Sequence, residues 1–238
     1  MKRAMIMLAA AAALLMFPSC QKITGEGAVQ TEVRTITDFT GVSAGIGGKI
    51  NYRIEPVFKV EIIAQRNILD VLETSKINNL LLVKVRDGVR IRTGEDIVVN
   101  ISAPTADYLH LSGSGNLAVT GNIVSPNLSL GISGSGNIFI PGVSVANKID
   151  AVISGSGNIQ VLAGTAKEES LRISGSGKLQ LDAVASEKTI VNISGSGNMQ
   201  VNTSQVLDAT ISGSGSVFYR GTPRVSTSIS GSGRVLPL

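Results

Sequence analysis

From Leu128 onward, apolar and polar residues alternate with a period of two, and the alternation runs straight through a Gly-Ser tetrapeptide. Leu128, Leu130, Ile132, Gly134, Gly136, Ile138 and Ile140 share one parity. One repeat later the same parity holds Ile149, Ala151, Ile153, Gly155, Gly157, Ile159 and Val161. Leu171, Ile173, Gly175, Gly177, Leu179 and Leu181 follow, then Val191, Ile193, Gly195, Gly197, Met199 and Val201. The opposite parity carries Ser, Ser and usually Asn. A period of two marks a strand with one buried face. Gly-Ser runs by themselves read as flexible linker, but a linker has no reason to keep the parity of its flanks. The tetrapeptide SGSG is therefore expected inside an ordered strand or at a bend within one.

SGSG begins at Ser112, Ser133, Ser154, Ser174, Ser194, Ser212 and Ser230, at steps of 18 to 21 residues. A fixed period of this length signals stacked repeats. Each coil must bend at the same point to close, and glycine on the inner parity permits the bend. Stacked coils set parallel strands about 4.8 Å apart, and the general hand of parallel crossovers predicts a right-handed coil. The expected fold is all-β: a right-handed parallel β-helix of 18–21 residues per coil.

The outward parity then lines up in columns. Ser112, Ser133, Ser154, Ser174 and Ser194 form the first, and Ser114, Ser135, Ser156, Ser176 and Ser196 the second. Asn116, Asn137, Asn158 and Asn198 form a third, interrupted by Lys178, Ser216 and Arg234. Stacked hydroxyls and amides are expected to hydrogen-bond along the axis and stabilise the stack. The same residues are the candidate binding face for a glycan or another surface.

Residues 28–110 are less regular. "KINYRIEP", "FKVEIIAQ", "LLLVKV", "GVRIRTG" and "DIVVNISAP" read as strands separated by turns at Glu55-Pro56, Asn78-Asn79 and Asp87-Gly88. "NILDVLETS" has room for one short helical turn. These strands are expected to pair with, or cap, the first SGSG coil, as a stacked repeat requires. Arg234 and Pro237 are expected to blunt the last strand edge.

The N-terminus adds an address. "MKR" precedes an unbroken apolar run from Ala4 to Phe17, too short to span a bilayer and suited to a secretory signal. Cys20 is the only cysteine, so no internal disulfide forms. "FPSC" resembles the lipobox of bacterial lipoproteins, with Ser19 fitting and Phe17 and Pro18 departing from the usual residues. The resemblance implies cleavage before Cys20 and lipidation of its thiol. The division expected is a signal peptide at 1–19, an anchor or linker at 20–27 and a single domain at 28–238.

Charge and chemistry exclude more than they assign. Losing Lys2 and Arg3 with the signal takes the net charge from +4 to +2. With no basic run, no Trp, three Tyr and five Phe, the chain lacks the stripe and stacking rings of a nucleic-acid binder. "ISGSGKL" lacks the first Gly and the Ser or Thr of a phosphate loop. His110 is the only histidine, so neither a serine triad nor a His-rich metal site is expected. Asp150 and Asp208 sit at equivalent places three coils apart, about 14 Å on the strand spacing, too far for a catalytic pair. No catalytic residue, metal or cofactor is assigned. A glycan lyase or hydrolase, the alternative, needs clustered carboxylates in one groove; a purely structural envelope protein is a further alternative.

The irregular strands, the "DGVRIR" turn, "VNISAPTADYLHLSGSGN" and the serial ISGSGN coils, over about Val33–Leu238, resemble the autotransporter-adhesin head GIN domain family. The resemblance implies a β-helical, envelope-associated bacterial protein with no established activity; the family's name suggests adhesion, and a non-enzymatic adhesion, binding or scaffolding module is expected. Only five residues follow Gly233, so attachment is expected through lipid on Cys20 and not through a membrane barrel. The expected place is the outer membrane of a Gram-negative bacterium, with a glycan or an envelope protein as partner and the oligomeric state open.

Overall fold

The period-two segments fold as strands that stack coil upon coil. The computed structural model describes residues 21–238, so the signal segment and Cys20 lie outside the described residues. One face is built from β10 (Tyr108–Gly113), β12 (Asn122–Gly134), β14 (Gly142–Gly155), β16 (Gly164–Gly175), β17 (Lys178–Gly195), β18 (Asn198–Gly213) and β20 (Arg224–Gly231). Each pairs in parallel with the next, and each ends on the first glycine of its tetrapeptide. A second face continues after the corner. It comprises β11 (Asn116–Thr120), β13 (Asn137–Ile140), β15 (Asn158–Val161), the starts of β17 and β18, β19 (Ser216–Arg220) and β21 (Arg234–Pro237). The protein is a β-solenoid, as the repeat predicts.

Inside, the aliphatic parity stacks into continuous columns. Ile132, Ile153, Ile173, Ile193 and Ile211 lie in one register, each 2 % exposed or less. Burying such a side chain contributes about 1.5–3 kcal/mol relative to leaving it exposed. That gain recurs in every coil.

The corner leaves no room for a side chain on its inner parity. Gly175 has φ +125°, in the region that favours glycine, and a Cβ there would collide with the carbonyl oxygen of Gly155 one coil away. Gly177 passes over Ile153, with a hypothetical Cβ only 2.6 Å from its Cγ2. The backbone ladder continues through the bend. Ser156 N–H donates to Gly134 O, Ser176 N–H to Gly155 O and Ser196 N–H to Gly175 O, each at 2.9 Å. The tetrapeptide is a hydrogen-bonded corner between two strands.

The stack begins before the first SGSG. β3 (Gly41–Gly45) lies parallel between β10 and β7 (Leu80–Val85), and β4 (Lys49–Ile54) lies parallel between β11 and β9 (Val98–Ala103). Residues 41–54 therefore form a coil whose corner reads Gly45-Ile46-Gly47-Gly48, and residues 80–103 lie beyond it. No structural boundary falls at 110. Antiparallel strands close this end: β6 (Leu72–Ile77) on β7, β5 (Lys59–Gln65) on β9, and β2 (Val29–Val33) on β5. The short helix α1 (Arg66–Leu69) buries Ile68 and Leu69 there.

The linker expected at 20–27 needs correction from Gln21 onward. β1 (Gln21–Thr24) pairs in parallel with β8 (Val89–Arg92), placing Ile23 beside Ile91, and both side chains pack against the core. Asn67 Nδ2 donates to Thr24 O at 2.7 Å. An apolar residue at the right parity turns the segment into a docked strand.

Candidate binding face

The corner fixes where the outward residues point. Ser112, Ser133, Ser154, Ser174 and Ser194 occupy one register position, continued by Ser212 and Ser230. Ser114, Ser135, Ser156, Ser176 and Ser196 follow at the bend, all exposed. Among the described residues, no hydroxyl in these two columns bonds to the next coil through its side chain, contrary to the expected hydroxyl ladder. These exposed hydroxyls are left to solvent, whereas the buried Ser186 Oγ does reach the next coil, 3.3 Å from Thr203 Oγ1.

The asparagines do bond along the axis. Asn137 Nδ2 donates to Asn116 Oδ1 at 2.6 Å, and Asn158 Nδ2 to Asn137 Oδ1 at 2.8 Å. The ladder stops where Lys178 takes the column, and Asn198 Oδ1 instead accepts the backbone N–H of Ser216 at 3.1 Å.

A fourth outward column runs beside the asparagines: Ala118, Phe139, Gln160, Gln180, Gln200 and Phe218. Sequence reasoning passed over it, although "NIF", "NIQ", "KLQ", "NMQ" and "SVF" place it two residues after each member of the asparagine column. Phe139 is 39 % exposed, unusual for a phenyl ring on a chain with so few. Two shallow cavities indent this strip. One of about 370 Å³ is flanked by Phe139, Asn158 and Gln160, and one of about 170 Å³ by Asn198, Gln200 and Phe218. They meet at Lys178 and Gln180.

His110 is structural in its contacts. Its ring stacks on Tyr108 at 3.8 Å between centroids and lies against Gly131, where a Cβ would collide with it. Nε2 is 3.0 Å from Ser129 Oγ. Burial lowers its pKa below the usual range, opposed by the charge of Asp150. A cavity beside it is lined by Asp107, Tyr108, Ser129, Lys148 and Asp150. Asp150 and Asp208 are three coils apart, as their spacing predicts.

The interior holds a polar group that sequence reasoning did not single out. Glu169 is fully buried, in the column of Leu128, Ile149 and Leu207. Thr189 Oγ1 donates to Glu169 Oε2 at 3.0 Å, and Ser186 Oγ lies 2.9 Å from Thr189 Oγ1 and 3.3 Å from Thr203 Oγ1. Glu169 Oε1 has no partner. Burial pushes its pKa up to about 8, partly offset by the Thr189 hydrogen bond. The signal was present: Glu169 stands two residues before Leu171, on the inner parity.

A stacked β-solenoid of this kind has known counterparts. Residues 38–223 match the family described as "Putative auto-transporter adhesin, head GIN domain". The chain belongs to this family. Among solved structures, this GIN-domain protein is similar to a "putative adhesin" from Bacteroides fragilis, with TM-score 0.82 and 23 % identity over 91 % of this chain and all of the other. A "Putative lipid binding protein" from Parabacteroides distasonis aligns with TM-score 0.76 and 22 % identity, over 92 % of this chain and 100 % of that one. A "putative adhesin" from Parabacteroides merdae aligns with TM-score 0.70 and 22 % identity, over 92 % and 99 % of the two chains. At these identities the likeness establishes the fold. No curated protein matches the sequence.

Proposed function

We propose that this GIN-domain protein is a lipid-anchored, non-enzymatic adhesion or binding module of a Gram-negative outer membrane, contacting its partner through the face beside the SGSG corner. The observation that carries this reading is the register: exposed serines recur at fixed positions over successive coils, beside a column of exposed and half-buried asparagines interrupted by Lys178. A rigid column of short polar side chains offers many weak, identically spaced contacts, which suits an extended partner. The family's description as an adhesin head domain supports it.

Lipidation of Cys20 would leave no tether, because β1 begins at the next residue. The capped end of the solenoid would then sit at the bilayer. Lys22 and Arg90, paired in register and exposed, and Arg92 beside them would face its headgroups. The SGSG coils would project away from the surface.

The test is capture on a glycan array and by a solubilised envelope fraction, comparing the wild type with a variant carrying Ser154→Ala, Ser174→Ala, Ser194→Ala, Asn158→Ala and Asn198→Ala. Loss of capture with the fold retained supports the face. Undiminished capture by the variant removes it.

A further inference from the structure

The geometry points to a specific occupant for part of this face: we propose that the strip between Phe139 and Phe218 binds a single neutral polysaccharide chain laid parallel to the solenoid axis, with one sugar unit per coil. This rests on the reading of the outer face as a binding surface and names its ligand class.

Four features converge. Phe139, Gln160, Gln180, Gln200 and Phe218 share one register over five successive coils, so a phenyl ring stands at each end of a run of primary amides. Aromatic rings offer a flat apolar face to the C–H side of a pyranose, and an amide supplies both an acceptor and two donors to its hydroxyls. The coil spacing of about 4.8 Å is comparable to the length of one pyranose unit in an extended chain, so successive sugars meet successive side chains in phase.

The strip is also almost uncharged. Along the asparagine and glutamine columns from Asn116 and Ala118 to Ser216 and Phe218, Lys178 is the only ionised side chain. Such a surface matches neutral hydroxyls better than a polyanion. Finally, the amide columns are not built as continuous stabilising ladders. The hydrogen-bonded asparagines stop at Asn158, and only a 3.4 Å contact joins Gln180 to Gln200. Among the described residues, Gln160 and Lys178 have no side-chain partner, and both line the cavity beside Phe139. These are groups left free where the two cavities approach each other.

The experiment is titration of the purified protein with cellohexaose, mannohexaose and maltohexaose, beside acidic hexagalacturonate, followed by shorter members of whichever series binds. Binding of a neutral hexasaccharide is expected to be insensitive to salt and to strengthen with each added sugar up to about five units, then level off. Gln160→Ala with Gln180→Ala should weaken it tenfold or more, and Phe139→Ala likewise, with unchanged melting temperature in each. Binding only of hexagalacturonate, with strong salt dependence, would overturn the neutral-chain assignment. So would neutral binding that ignores chain length or these substitutions. Capture of envelope proteins through the Ser and Asn columns with no saccharide bound would also overturn it, while leaving the binding face itself intact.

Discussion

The hydroxyl of Thr189 donates a 3.0 Å hydrogen bond to the carboxyl of Glu169 inside a column otherwise carrying Leu128, Ile149 and Leu207. A titratable acid in the middle of an apolar solenoid makes stability depend on pH. With its pKa pushed up to about 8 by burial, Glu169 stays protonated in the folded chain where the unfolded chain has already ionised it. Stability from this group is complete below the ordinary glutamate range, falls as pH rises through it, and levels off above about 8. Glu169→Gln keeps the shape and removes the ionisation. Its melting temperature should exceed that of the wild type at pH 8, and the difference should shrink towards pH 4. Parallel melting curves across that range would contradict the assignment.

The corner glycines should be intolerant and the corner serines tolerant. Gly175→Val places a branched side chain against the Gly155 carbonyl at a φ that valine avoids, and should unfold or loosen the middle of the solenoid. Ser176→Ala removes an exposed hydroxyl with no ladder bond and should cost about 1 kcal/mol or less. Thermal unfolding of both variants decides; a fully stable Gly175→Val protein would mean the corner has room that its geometry denies.

Parity should separate neighbours in sequence. Ile173 is fully buried in the isoleucine column, so Ile173→Asp buries an unpaired charge and should be severely destabilising. Arg172, exposed on the opposite face, should tolerate Ala within about 0.5 kcal/mol. Equal losses at the two positions in chemical denaturation would refute the alternation.

Anchoring is tested at Cys20. Cys20→Ala should release the protein from the membrane fraction or leave the signal uncleaved. Normal cleavage with unchanged membrane partitioning in that variant would remove the lipid from the account.

The solenoid is legible in the sequence because the tetrapeptide keeps the parity of its flanks, so that Ile132, Gly134, Gly136 and Ile138 can be counted in twos across the bend. Counting fails where the register shifts. Such shifts separate Gln180 from Ala185 and Ser186 from Lys188, hiding the convergence of Ser186 and Thr203 on Thr189, whose hydroxyl bonds Glu169. The coil at 41–54 escapes notice for two reasons. Its corner reads Gly45-Ile46-Gly47-Gly48, and its neighbours β7 and β10 are distant in the chain, so local pattern carries no trace of the pairing. The serine and asparagine columns follow from period and parity alone. Which of them hydrogen-bond does not, because that turns on how each side chain is oriented and how far it is shielded from water.

Every functional reading depends on the SGSG corner being a rigid, register-locked bend, since mobile tetrapeptides would dissolve the outward columns. Native-state amide hydrogen exchange measures this directly. The amides of Ser156, Ser176 and Ser196, each bonded to a glycine carbonyl in the neighbouring coil, should exchange only through opening of the stack, with protection close to that of Ile153 and Ile173. Exchange of these serine amides at the rate of an unstructured peptide, while the isoleucines stay protected, would contradict the account.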